Sequence, residues 1–158
     1  MTLEDARLIA TWRYQGVYAV YDFEGEAAEL LGTSSPFFAA HDEHGELVGF
    51  CCFGTTAEIG DVGPSALFTS ADRTLSVGLG LRPDLTGQGI GLPFVTAILD
   101  FAREQFTPEA FRLFVLTWNH RAIRVYERAG FLPQQVVTNE QGLEFLEMRL
   151  VGRENGGL

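Results

Sequence analysis

Apolar positions along this chain switch between a helical and an alternating rhythm, and the switches divide it into elements. Leu3, Leu8, Ile9 and Trp12 fall at near-helical spacing, which predicts a first helix over residues 3–13. The aromatic and acidic stretch Tyr14–Glu29 keeps no steady period and reads as a loop or a short broken helix. Phe37–Ala40 and Leu47–Phe53 are apolar runs around a polar turn with Gly45 at its tight position, the pattern of two joined strands. Residues 56–72, with Gly60, Gly63 and Pro64, have the composition of a surface connection. Arg73–Leu81 predicts a buried strand, in which Gly78 and Gly80 mark a bulge or the close approach of a backbone or ligand.

The second half is more regular. Leu92, Val95, Leu99 and Ala102 share one face of a helix over Leu92–Phe106, with Pro93 in its first turn, where the missing N–H loses no partner. A strand at Phe111–Thr117 leads into a second helix over Asn119–Ala129, with Asn119 as N-cap and Gly130 just past its end. Phe131–Thr138 and Leu143–Val151 close as a hairpin. This order predicts one layer of mixed sheet with helices on both faces.

Composition narrows the function. The 158 residues suit a single domain over 1–158, and 46% hydrophobic with 20% charged residues is an ordinary globular balance. Thirteen phenylalanines point to a phenylalanine-rich core. Eleven basic against 21 acidic residues leave a net charge of −10, which argues against a nucleic-acid binder or a basic membrane-surface protein. Every basic residue is arginine. Residues 1–70 carry 11 acids and 2 bases, whereas 71–158 carry 10 and 9. An acidic front half suits recruitment of a cation on one side, or simply solvated loops. The only cysteines, Cys51 and Cys52, are adjacent and would point to opposite faces of a strand, so no disulfide framework and a cytoplasmic location are expected. With an acidic N-terminus and no apolar run of 18 residues, neither a signal peptide nor a membrane span is expected.

The chemistry concentrates in Gly87-Gln-Gly-Ile-Gly91, directly before a helix. Alternating glycines let successive N–H groups face one concavity, and a helix N-terminus adds about half a positive charge, so the loop suits phosphate without a basic side chain; it also suits a plain sharp turn. A P-loop needs a lysine that this chain lacks, and a dinucleotide fingerprint needs G-x-G-x-x-G rather than G-x-G-x-G. His41 and His44, with Asp42 and Glu43, read as a solvated turn rather than a metal site. There is no Gly-x-Ser-x-Gly elbow for a serine nucleophile, and Cys51 and Cys52 read as packing residues.

Leu81-Arg-Pro-Asp-Leu-Thr-Gly-Gln-Gly-Ile-Gly91 resembles motif A of the GNAT superfamily of N-acetyltransferases, and Asn119-His-Arg-Ala-Ile-Arg-Val-Tyr-Glu-Arg-Ala-Gly-Phe131 resembles its motif B. The resemblance implies an α/β (α+β) acyl-CoA N-acyltransferase fold with a mixed, mostly antiparallel central sheet flanked by helices on both faces. It implies acetyl-CoA as cosubstrate, with no metal. The diphosphate would lie on the amides of Gly87, Gln88, Gly89, Ile90 and Gly91. A backbone N–H near Leu79, Gly80 or Leu81 would polarise the thioester carbonyl, and Asn119 would contact the amide arm. The family's usual Arg or Gln at the head of the signature is Thr86 here, which removes one side-chain contact.

By family position Tyr126 is the general acid toward the leaving thiolate. A phenol near pKa 10 facing a thiol near 8.5 is mismatched by about 2 kcal/mol, so hydrogen-bond stabilisation is the expected contribution. Ser76 stands where relatives often carry an acid, leaving Glu58, Asp61 and Asp72 as candidate bases, with Glu58 chosen here, or solvated loop acids. Deprotonating a lysine-like amine at pH 7 costs about 4.6 kcal/mol, against about 1 for an α-amine. A small-molecule or peptide acceptor with a low amine pKa is therefore expected. Trp12, Tyr14, Tyr18, Tyr21, Asp22, Phe23 and Glu24 form its candidate site, since aromatic faces and carboxylates suit a cation. The alternatives are a non-catalytic acyl-CoA-binding or sensing module and a nucleotide-binding interaction domain. A homodimer is open, with no interface specified.

Overall fold

A computed structural model describes residues 1–32, 37–59, 66–68 and 71–151. Helix α1 (Leu3–Thr11) starts from a reciprocal cap, in which the Thr2 hydroxyl accepts from the Asp5 N–H and the Asp5 carboxylate accepts from the Thr2 N–H. The irregular stretch after it forms two short 3-10 turns, Gly16–Tyr21 and Ala27–Leu31.

Strands β1 (Phe37–His41), β2 (Leu47–Phe53), β3 (Thr74–Leu81), β4 (Ala110–Leu116), β5 (Leu132–Thr138) and β6 (Glu144–Val151) form one sheet in the order β1-β2-β3-β4-β6-β5. Only β3 and β4 run parallel, joined through α2 (Gly91–Phe106); the other neighbours are antiparallel. Helix α3 (His120–Arg128) connects β4 to β5. The period-2 alternation of β1 sends Phe38 to one face and Phe37 and Ala39 to the other. On the first face, Leu75, Val77, Leu113 and Met148 pack with Val95, Ile98 and Leu99 of α2 and with the apolar side of α3. On the second, Ala6 and Ile9 of α1 pack with Leu30 and Leu47. Phe38, Phe53, Phe101 and Phe106 form a ring cluster in the first core, with Phe38 and Phe101 edge-on at 5.1 Å.

Two findings depart from the sequence reading. No bulge interrupts the β2–β3 pairing at Gly78 or Gly80. A Cβ on Gly80 would instead strike the Phe50 ring, so the missing side chain makes room for an aromatic one. The connection after β2 is also not purely surface, because after the 3-10 turn Gly54–Ala57 the Glu58 side chain is only 6% exposed. Among the described residues no helix is long and apolar enough to cross a membrane.

The pairing at the sheet centre positions the site. β3 and β4 pair only at Thr74↔Ala110, Leu75↔Phe111 and Ser76↔Arg112. β3 stays with β2 as far as Gly49↔Leu81, and β4 stays with β6 as far as Leu116↔Phe145. The two central strands therefore part beyond Ser76 while each remains tied to its outer neighbour.

Candidate active site

The parting strands open a cleft of about 590 Å³, walled by Val77–Leu81 on one side and Leu113–Val115 on the other. Arg82 N–H donates to Val48 O at 2.8 Å across the β2–β3 pair. Antiparallel alternation then directs Gly80's main-chain groups toward β2 and those of Leu79 and Leu81 toward the gap left by β4. One of these groups is already used, since the Tyr14 hydroxyl donates to Leu81 O at 2.7 Å.

At the cleft mouth, the 3-10 turn Pro83–Leu85 delivers the chain into the glycine loop. Gly87 and Gly89 have φ of +75° and +79°, the left-handed conformation that a side chain resists. Ile90 caps α2 without a side-chain hydrogen bond. Among the described residues, the N–H groups of residues 87–91 find no acceptor in the protein. Gly87, Gln88 and Gly89 are exposed, which leaves their acceptor-free donors open to a ligand at the positive end of α2. The Gln88 side chain folds back onto Asp84 O at 2.6 Å, which steadies the loop.

Helix α3 forms the opposite rim. Asn119 caps it, accepting from Ala122 N–H at 3.2 Å, and donates from Nδ2 to the Tyr21 hydroxyl at 3.0 Å. Tyr126, about two helical turns after Asn119, packs edge-on against Phe131 at 6.0 Å in the cleft. Burial, and secondarily the nearby Tyr21, pushes its phenol well above the usual value. Burial likewise pushes Tyr14 up to about 12, with the Asp22 charge adding to it. Tyr126 and Tyr14 are thus phenols that stay protonated.

A sequence profile of the acetyltransferase (GNAT) family matches residues 3–131, which is most of the chain. The chain belongs to the acetyltransferase (GNAT) family. It is 31% identical over 128 residues to a mycothiol acetyltransferase of Propionibacterium freudenreichii subsp. shermanii, covering 81% of this chain and 36% of that protein. The counterpart of Streptomyces coelicolor is 32% identical over 123 residues, 77% and 35% of the two chains. The chain therefore spans about a third of the length of these curated relatives. Among solved structures, the aminoglycoside acetyltransferase AAC(6')-Ib with ribostamycin and coenzyme A superposes with a TM-score of 0.74 at 21% identity, covering 100% and 96% of the two chains. A chimera of the Vibrio cholerae spermidine N-acetyltransferase SpeG gives 0.68 at 17%, covering 96% and 92%. These likenesses establish a shared GNAT fold.

Within this GNAT fold the expected site residues separate into two groups. Leu79, Gly80, Leu81, Thr86, Gly87, Gly89, Gly91, Asn119 and Tyr126 all line one cleft. Gln88 and Ile90 belong to the same loop, and their N–H groups also lack an acceptor among the described residues. Glu58 does not line the cleft. Its carboxylate accepts from the Ser76 hydroxyl at 2.5 Å and pairs with the Arg112 guanidinium, which also donates to Ser76 at 3.2 Å. Ser76 and Arg112 are the last β3–β4 pair, so this cluster sits behind the apex of the split, one pleat from Gly78 and Phe114. Asp72 pairs with Arg149 at 3.1 Å at the far end of β3, and Asp61 lies outside the described residues. Of the expected acceptor segment, Tyr14, Tyr18 and Tyr21 line the cleft, whereas Trp12 and Phe23 pack in the α1 core. Asp22 accepts from Tyr14 N–H at 2.8 Å. No carboxylate lines the cleft among the described residues.

The sequence reading missed Arg121, Arg124 and Arg128, which line the cleft from α3. Their i, i+3 and i+7 spacing was the available signal, because it places three cations on one helical side.

Proposed function

We propose that the chain is an acetyl-CoA-dependent N-acetyltransferase that transfers acetyl directly to a small or peptide amine. The observation that carries the proposal is the row of acceptor-free N–H groups at residues 87–91, standing at the mouth of a cleft between parted parallel strands. Such a row at a helix N-terminus is complementary to a diphosphate. The acyl arm of the donor would then run between β3 and β4, where the Leu79 N–H is turned into the gap and can polarise a thioester carbonyl. A preorganised donor of that kind contributes roughly 3–4 kcal/mol to an acyl transfer.

In the reaction the amine nitrogen attacks the thioester carbonyl, the C–S bond breaks, and the thiolate leaves. Tyr126, half-buried and protonated, holds that sulfur by a hydrogen bond and keeps its own proton, and the released thiolate takes a proton from water. The amine's own proton leaves through water, since the cleft wall carries no carboxylate among the described residues. Glu58, taken from the sequence as the base, is assigned instead to anchoring the apex through Arg112 and Ser76. An amine with a low pKa fits such a site, because a fraction of it is already neutral at pH 7. Of the cleft tyrosines, Tyr14 and Tyr21 provide faces for the acceptor, while the Tyr18 ring carries the Arg121 guanidinium. The redox setting expected of adjacent unpaired cysteines is cytoplasmic.

The decisive measurement is calorimetry with coenzyme A followed by free-thiol release across a panel of α-amines, polyamines and lysine-like amines. Binding with sustained release for low-pKa amines is expected. Binding without release for any amine favours the second reading, an acyl-CoA sensor, which the carboxylate-free wall also fits. No binding removes both.

A further inference from the structure

We infer that Arg121 is a diphosphate-binding residue of this site, reaching from α3 to the side of the glycine loop at Gly87; the inference rests on the acetyl-CoA reading above. A Cβ placed on Gly87 would lie 3.4 Å from a terminal Arg121 nitrogen, so the guanidinium stands beside the loop whose amides lack acceptors. The guanidinium carbon lies 4.4 Å from the centre of the Tyr18 ring, and Tyr18 packs edge-on against Trp118 at 5.3 Å. Arg121 also lines both the main cleft and the polar hollow beside it, between residues 13–18 and 83–86.

The partners of the other arginines sharpen the point. Arg82, Arg103, Arg112 and Arg149 hold carboxylates, and Arg13 and Arg73 hold backbone carbonyls. Among the described residues Arg121 holds neither, as is true of Arg7, Arg124 and Arg128, but of these four only Arg121 lies beside Gly87 and over an aromatic ring, in a chain of net charge −10. Asp84, the one carboxylate of the polar hollow, is already taken by Arg82 at 2.6 Å. A ring engages the face of a guanidinium and leaves its N–H edge free. That edge is a planar fork matched to two oxygens of one phosphate group. Tyr18 thus holds Arg121 in place as a positioning residue, and the arginine supplies the side-chain cation absent from the glycine loop.

Three donors test the assignment: acetyl-CoA, its 3′-dephospho form, and S-acetylpantetheine, which keeps the thioester but has no phosphate. For Arg121→Ala, kcat/KM is expected to fall about tenfold or more with both diphosphate-bearing donors, through KM, and to stay unchanged with S-acetylpantetheine. Tyr18→Ala is expected to give a smaller loss of the same pattern, and the double variant to be no worse than Arg121→Ala alone. An equal loss on all three donors would assign Arg121 to the acceptor or the fold and overturn the inference. A loss with acetyl-CoA but not with the dephospho form would move the contact to the 3′-phosphate and overturn it too. If the unmodified protein shows no affinity for coenzyme A in calorimetry, the functional reading itself fails, a result distinct from these.

Discussion

Tyr126 shows how burial tunes one side chain for one task. Desolvation keeps its proton in place far into the alkaline range, which suits the hydrogen bond that the proposed reaction asks of it toward the leaving sulfur. Tyr126→Phe should lower kcat more than tenfold while leaving the calorimetric Kd for acetyl-CoA nearly unchanged; an unaltered kcat would remove the phenol from the reaction. The pH dependence has a definite sign. With Tyr126 raised and Tyr14 at about 12, neither of these two phenols loses its proton below about pH 10. Rate should rise with pH as the acceptor amine becomes neutral, with no alkaline fall before that point. The place of Tyr126 in the cleft was legible because motif B sets it a fixed distance after Asn119. Arg121 was not, although it lies in the same motif, because only the folded chain brings Gly87 and Tyr18 beside it.

The glycine loop and the two caps act as units rather than as single residues. Gly89 holds φ of +79° with open space around it, so an added methyl group meets strain instead of a clash. Gly89→Ala should cost roughly 1–2 kcal/mol in urea unfolding and weaken coenzyme A binding, since the chain relieves the strain by turning its amides away. Stability loss without any loss of binding would separate the loop from the ligand. At the other end of the chain, Asp5 closes the α1 cap and accepts from His41 Nε2 at 3.0 Å, tying α1 to β1. Burial raises its carboxyl, but the hydrogen bonds from His41 and Thr2 outweigh burial and hold it below the usual 3.8. Its contribution is therefore complete above about pH 4 and is lost as pH falls through the lowered folded value. Asp5→Ala should cost about 1 kcal/mol at pH 7, and the gap to the unmodified protein should narrow by pH 3. A constant gap would place the effect outside the carboxylate's ionisation.

The three segments that meet at the apex of the cleft share one buried ion pair. Arg112 on β4 reaches Glu58 from the 54–58 turn and Ser76 on β3, with the Glu58 side chain 6% exposed. Arg112→Leu should destabilise by about 3–5 kcal/mol, because it strands a buried carboxylate, and replacing Glu58 with Leu as well should recover most of it. If the double variant stays as unstable as the single one, the cluster does more than balance charge. Period and punctuation along the chain were sufficient for the helices, the strands, the Asn119 cap of α3 and the glycine loop, since spacing and backbone preference act over a few residues, but the Thr2–Asp5 cap of α1 came from the structure. They were also sufficient for the GNAT resemblance, which rests on two short motifs. The tertiary structure alone decided that β3 and β4 separate after three pairs, that Glu58 faces Arg112 instead of the cleft, and that Arg121 stands over Tyr18. Each of those outcomes depends on partners distant in sequence, and no local rule reports which carboxylate an arginine will meet once the sheet has closed around it.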